Sequence, residues 1–248
     1  MGVPTIGCAC AVCRSTDPRD KRTRPSVKLD FTDQMGAPRT IVIDTSPDFR
    51  AQALRENVTR VDAVLFTHAH ADHILGLDDI RAFNFHQRAR IPVYANAPAL
   101  DTIRKTFHYI FDEAPAPSAI PLIDLHEVRG PIELFGATFT PVPVFHGKLE
   151  VLGYLFGRNA YLTDFNVIPE ASLPMLHSLD VLFLDALRDA AHNTHCTIAE
   201  ALDYAARLAP KAAYFTHMNH EVSHAAVSER LPAGVFLSYD GLKLEVEL

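Results

Sequence analysis

Glycine is scarce in this chain, with 11 in 248 residues, where an average share near 7% would give roughly 17. A repetitive, fibrous composition is thereby excluded. Charged residues make up 21% against 48% hydrophobic, which excludes an intrinsically disordered chain. No apolar run approaches the ~18 residues of a membrane span. The opening MGVPTIGCAC lacks both a charged n-region and an apolar h-region, so a secretory signal is not expected. Ile6 stands where a myristoylation signal needs Ser or Thr. Repeats, low-complexity tracts and long Gly/Ser linkers are missing as well, so a single domain over residues 1–248, cytoplasmic in location, is the expectation.

What is present is histidine, 13 residues of it, and a bunched set of cysteines. Cys8, Cys10 and Cys13 form C-x-C-x-x-C, whereas Cys196 is remote. Thiols this close suit a disulfide framework poorly, but three thiolates can wrap a tetrahedral metal and leave one position open. Residues 14–28 are basic and turn-rich and read as an exposed loop.

Apolar patterning predicts strands at 27–32, 40–44, 63–67 and 91–95, then at 132–135, 138–145, 151–157 and 160–163. Further strands are expected at 180–184 and 212–216, with a closing pair at 235–238 and 242–247. Helices are expected over 48–57, 73–87, 197–208 and 224–230, with Asp48 as an acidic first-turn residue. The Pro/Ala-rich stretch 114–121 reads as a surface lid or connector. Meanders first and βα units later imply two sheets with helices on their outer faces, a layered α/β sandwich.

The informative stretch is His68-Ala69-His70-Ala71-Asp72-His73, an H-x-H-x-D-H directly after an apolar strand. Four ligand-type side chains in six residues cannot share one face of a regular helix or strand. A loop at a strand end can fan them into two adjacent sets of mixed nitrogen and oxygen donors. This motif resembles that of the metallo-β-lactamase-fold hydrolases, whose fold is an αββα four-layer sandwich with metals at one sheet edge. Later positions match in order: His146 in PVFHGK, Asp164 closing AYLTD, and His217 ending AAYFTH. The resemblance implies that His68, His70 and His146 hold one metal and Asp72, His73 and His217 the other, with Asp164 bridging. Two divalent ions, Mn or Zn, are implied. Asp44 in IDTSPD resembles the aspartate that orients a ligand histidine from behind.

The GVPxxGCxCxxC opening joined to these motifs is similar to that of the PhnP-type cyclic phosphodiesterases. That likeness implies a structural Zn on Cys8, Cys10, Cys13 and His220, the last from T-H-M-N-H, with Cys196 as the rival fourth ligand. It also implies that His195, just before Cys196, protonates the leaving oxygen, with His192 as the fallback. The alternative for both histidines is to cap the helix that starts near Thr197. Relatives open with a further strand and Gly-rich turn, so the first strand is expected to be missing here. His86, His108, His126, His177 and His224 read as surface or packing residues.

Two divalent cations carry +4 and Asp72 with Asp164 return -2, so the pocket stays about +2 and draws an anion in. The expected function is hydrolysis of a small anionic, cyclic ribosyl phosphodiester by a two-metal hydroxide mechanism, with Asp72 and His195 in the catalytic group. A tRNA 3′-processing nuclease is the first alternative, but the only basic cluster is 14–28 and there is no long basic arm, so a nucleic-acid partner is not expected. Lactone or thioester hydrolysis could run on the same metals. A non-catalytic metal-binding scaffold is the alternative outside enzymes, against which every expected ligand is present. No membrane partner is expected, and a homodimer stays open.

Overall fold

The computed structural model describes residues 2–112 and 119–248. The 114–118 part of the Pro/Ala-rich stretch therefore lies outside the described residues. Two compact units emerge, Arg24–Gly136 and the remainder, formed by the chain up to Thr23 with Ala137–Leu248. A short helix α1 (Ala11–Arg14) belongs to the second of these.

In the unit Arg24–Gly136, β1 (Val27–Thr32) and β2 (Pro38–Ile43) pair antiparallel, Val27 against Ile43 and Thr32 against Pro38. β3 (Ala63–Leu65), β4 (Ile91–Ala95) and β5 (Ile123–Glu127) continue the sheet in parallel, in the order β1-β2-β3-β4-β5. All three β3 residues are fully buried, as expected of an interior parallel strand covered on both faces. Helices α2 (Phe49–Arg55), α3 (Ala71–Ile74), α4 (Arg81–Gln87), α5 (Ala97–Thr106) and α6 (His108–Phe111) follow the strands, and β6 (Ile132–Leu134) ends the unit. α5 starts at an Asn96 cap that accepts from the Ala99 N–H, with a Pro in its first turn. Sequence patterning had not signalled α5, α6 or β5.

The helix expected over 73–87 is broken. α3 ends at Ile74, a 3₁₀ turn covers Leu77–Ile80, and α4 follows. The break sits at Gly76, whose N–H donates to Thr45 O at 2.9 Å. A Cβ on Gly76 would stand 2.1 Å from Ser46 O and 2.7 Å from Phe49 Cβ. Only glycine lets the backbone after the histidine turn approach the 44–46 loop this closely. Asp48 does not support α2 as expected, because its carboxylate is taken by Arg24 at 3.0 Å.

In the second unit, β7 (Ala137–His146) and β8 (Leu149–Phe156) form a hairpin, and β9 (Asn159–Leu162) pairs antiparallel with β8. β10 (Val181–Asp185), β11 (Ala212–Thr216) and β12 (Val235–Leu237) then add in parallel, β9 to β10 to β11 to β12. α7 (Ile198–Leu208) buries Ile198, Ala201, Ala205 and Leu208 on one helical face, in the same cluster as Leu182, Leu184 and Phe215. Its start is a capping box in which Thr197 and Glu200 exchange bonds, so neither His192 nor His195 caps it. α8 (His224–Ser228) is shorter than expected. Residues 242–247 form no strand, and the Glu247 carbonyl is instead taken by the Asn159 side-chain amide at 2.7 Å.

No helix among the described residues is long and apolar enough to cross a membrane. Gly76→Ala is expected to lower stability by about 1–3 kcal/mol through overpacking, measured by urea unfolding. Gly130→Ala, where a Cβ meets nothing within 4 Å, serves as the neutral control. Equal midpoints for the two variants would refute the close-approach argument.

Candidate functional site

Parallel strands end at one sheet edge, so their last residues and the turns after them gather there. In the unit Arg24–Gly136, β2 and β3 run parallel and deliver Asp44 and the Thr67–His73 turn. Asp44 has φ 62°, a left-handed backbone unusual for a residue with a Cβ. Its carboxylate is fully buried and accepts three bonds: from Thr67 N at 2.9 Å, Thr67 Oγ1 at 2.8 Å and His73 Nδ1 at 2.8 Å. Because Thr67 Oγ1 gives its proton to Asp44, it receives the His68 Nδ1 proton at 3.0 Å. His68 and His73 then carry their lone pairs on Nε2, the arrangement that a metal-ligating histidine needs. The rings of His70 and His73 stand 4.5 and 4.2 Å from that of His68, centroid to centroid. His73 and His68 are buried, His70 is exposed, and Asp72 lies in the first turn of α3.

In the second unit, β7, β9, β10 and β11 share one direction, and their ends supply His146, Asp164, Asp185 and His217. His146 Nδ1 donates to the Thr194 carbonyl at 2.7 Å, again leaving the lone pair on Nε2. Burial holds the His146 imidazole below its ordinary pKa, against the raising pull of the Thr194 carbonyl and Asp164, which favours the neutral ligand form. Asp164 (φ 52°) and His217 (φ 59°) are left-handed like Asp44, and Asp164 Oδ1 stands 3.2 Å from His217 Nε2. Ligand atoms of Asp164, His195 and His217 all lie within 4.8 Å of one another.

His195 is backed by a residue that sequence reasoning missed. Asp185, the last residue of β10 and fully buried, accepts from His195 Nδ1 at 2.7 Å and from Phe165 N at 3.0 Å. Its signal was an acid closing the apolar run VLFLD, the same pattern that pointed to Asp164 in AYLTD. The His195 ring stacks on His217 with centroids 4.8 Å apart and meets His146 edge-on at 4.6 Å. His192 is exposed, and its Nδ1 faces the Thr194 N–H at 3.3 Å rather than a carboxylate.

The same unit brings Cys8, Cys10, Cys13 and His220 together, with one donor atom each, all within 4.8 Å of one another. Cys8 Sγ and Cys10 Sγ stand 3.3 and 3.5 Å from His220 Nδ1. A tetrahedron with Zn–S near 2.3 Å and Zn–N near 2.0 Å has S–N edges of about 3.5 Å, so this donor set fits a zinc ion. The Cys13 N–H, and next the His220 ring, pull the Cys10 thiol down to about 6, towards the thiolate that metals bind. Arg22, buried beside this cluster, donates to the carbonyls of Asn219 at 2.9 Å and Val222 at 2.7 Å and ties the N-terminal loop to the His220 turn. Cys196 is not part of the cluster. It lies fully buried in the apolar core, where burial pushes its thiol up.

The histidine and aspartate clusters, imidazoles with carboxylates, are the mixed nitrogen and oxygen donor set that divalent metals accept. The profile of the β-lactamase superfamily domain matches residues 39–218. A solved diphosphatase of the PhnP family is 50% identical, with a TM-score of 0.92, covering 100% of this chain and 94% of that one. Zn(2+)-bound PqqB from Methylobacterium extorquens shares the fold at TM-score 0.78 and 19% identity, over 99% of this chain and 96% of that one. An octanoyltransferase of Porphyromonas gingivalis is 40% identical over 99% of this chain but only 49% of its own length, so the chain spans about half of that curated relative.

Asp44→Asn is expected to weaken divalent-metal affinity about 10–100-fold, because one amide oxygen cannot replace a carboxylate that accepts three bonds. Competition with a fluorescent chelator measures this, with circular dichroism verifying the fold. Affinity equal to the parent would mean that the carboxylate does not orient the histidine turn.

Proposed function

The chain belongs to the β-lactamase superfamily, and we propose that it is a metal-dependent hydrolase whose substrate is a small anionic phosphodiester, a cyclic ribosyl phosphate being the leading case. The observation that carries this reading is the full-length likeness to the PhnP-family diphosphatase. In this reading His68, His70 and His146 would hold one divalent ion and Asp72, His73 and His217 the other, with Asp164 as a further carboxylate ligand. The bound metals, Mn or Zn, would supply an activated water and charge neutralisation at the phosphoryl oxygens. Cys8, Cys10, Cys13 and His220 would hold a structural Zn, which would stiffen the turn from His217 to His220.

The residues of the chain do the rest. Asp44 fixes the His73 ring, and the Thr194 carbonyl fixes His146. His195, bonded through Nδ1 to Asp185, presents Nε2–H as the proton donor. As the P–O bond breaks, that proton passes to the leaving oxygen, and the Asp185 carboxylate stabilises the imidazolium from which it comes. Four free cysteines, three of them in a candidate metal-ligand set, suit a reducing, cytoplasmic setting.

A second reading is favoured by the octanoyltransferase that contains a homologous half: hydrolysis of an acyl thioester on the same metals. A panel of metal-loaded protein on a ribosyl cyclic phosphate, a bis-aryl phosphodiester, a precursor tRNA and an octanoyl thioester separates these. Phosphodiester turnover well above the His68→Ala background is expected, and turnover confined to the thioester or the tRNA would transfer the function accordingly. His195→Ala is expected to lower kcat on the unactivated cyclic phosphate about 10²–10⁴-fold. Elemental analysis is expected to give about three metals per chain, one of which resists mild chelation and is lost in Cys10→Ala. One metal or none in the parent would count against both metal assignments.

A further inference from the structure

Within the second unit, His146, Asp164 and His195 sit on three separate segments, and one side chain bridges all three. Asn166, two residues after Asp164, accepts the Gly147 N–H on Oδ1 at 2.8 Å. Through Nδ2 it donates to the Asn193 carbonyl at 3.3 Å. One partner is a backbone donor and the other a backbone acceptor, so the amide has a single satisfactory orientation. Its own backbone N–H donates to Phe145 O at 2.9 Å, and Phe145 N donates back to Val167 O at 2.9 Å. Gly147 in turn lies against the same loop, since its φ is +65° and a Cβ there would stand 2.9 Å from Thr194 Cγ2. The loop 193–195 is thus held on one flank by Asn166 and by the His146–Thr194 bond. On the other flank it is held by Cys196 N donating to Phe165 O at 2.8 Å.

We propose that Asn166 is a positioning residue for proton donation: it straps the loop carrying His195 to the His146–Gly147 turn and so keeps the imidazole aimed at the leaving oxygen. The inference rests on the reading of His195 as proton donor. Asn166 touches none of the reacting atoms. It acts through Asn193, two residues before His195, and a small displacement of a proton donor costs rate only where the proton is needed.

The test compares two substrates that differ in the leaving group. Methyl 4-nitrophenyl phosphate releases a weakly basic phenolate that departs with little help, whereas methyl phenyl phosphate releases a stronger base that requires a proton. For Asn166→Ala, kcat on the phenyl ester is expected to fall roughly 10-fold, and at least several times more than on the nitrophenyl ester, with KM and metal content held. Asn166→Asp keeps an acceptor for the Gly147 N–H but sets a carboxylate oxygen against the Asn193 carbonyl. It is expected to show the same selective loss, and it serves if the alanine variant folds poorly. His195→Ala is the reference and is expected to show a larger selective loss. If His195→Ala is selective while both Asn166 variants slow the two esters equally, or neither, the strap is overturned and the proton donor stands. If His195→Ala itself is unselective, the donor reading falls and the strap with it. A parent inert to both esters would overturn the phosphodiesterase reading and this inference together.

Discussion

A neutral imidazole has one N–H and one lone pair, and a bond to a fixed acceptor decides which nitrogen has which. His73 gives its Nδ1 proton to Asp44 and His146 gives its own to the Thr194 carbonyl. Each of these rings therefore turns a lone pair on Nε2 to whatever it serves. The acceptors need equal care, because a buried carboxylate without partners costs several kcal/mol. Asp44 meets this with three donors, and Asp185 meets it with His195 Nδ1 and the Phe165 N–H.

Strand ends are what make these bonds affordable. Asp44, Asp164 and His217 each follow a largely apolar strand and each adopts a left-handed backbone, a conformation costing of order 1 kcal/mol for residues with a Cβ. Such a turn throws the side chain off the sheet edge instead of continuing the in-and-out alternation. The strands behind are dense enough to hold it: Ile41, Ile43, Leu65, Leu162 and Phe215 are all fully buried. Gly76 adds a close backbone contact that seats the histidine turn against the Asp44 loop.

The ligand-type residues were legible because their chemistry is concentrated in short motifs placed directly after apolar runs. His68 to His73, Asp164 closing AYLTD and His217 ending AAYFTH all stand at strand ends in the structure. The two sheets were legible from the same runs. Asp185 was not, because although it closes VLFLD as Asp164 closes AYLTD, no family motif points to it, and only the fold shows that it faces a histidine ten residues on. α5 was missed although Asn96 and Pro98 carry ordinary start signals, because its apolar face is narrow: Ala99, Leu100 and Ile103. The 242–247 run misled for the opposite reason. Its alternation is that of a strand, but pairing requires a partner edge, and there the Asn159 side chain takes the Glu247 carbonyl.

Two aspartate–histidine pairs of the same chemistry, Asp44–His73 and Asp185–His195, are assigned different work, and burial is what separates them. The His73 side chain is fully buried, so its Nε2 can serve only something held inside the protein. The His195 side chain keeps 11% of its surface exposed while its Asp185 partner keeps none. A proton donor has to meet a departing oxygen and then recover its proton from solvent, and that residual exposure allows both steps. His192 is more open still, but its Nδ1 accepts from the Thr194 N–H, and burial together with the neighbouring His195 and Arg188 lowers its pKa. A lowered pKa leaves less of His192 in the protonated form that can donate, whereas the Asp185 carboxylate favours the His195 imidazolium, so the proposed role of proton donor falls to His195.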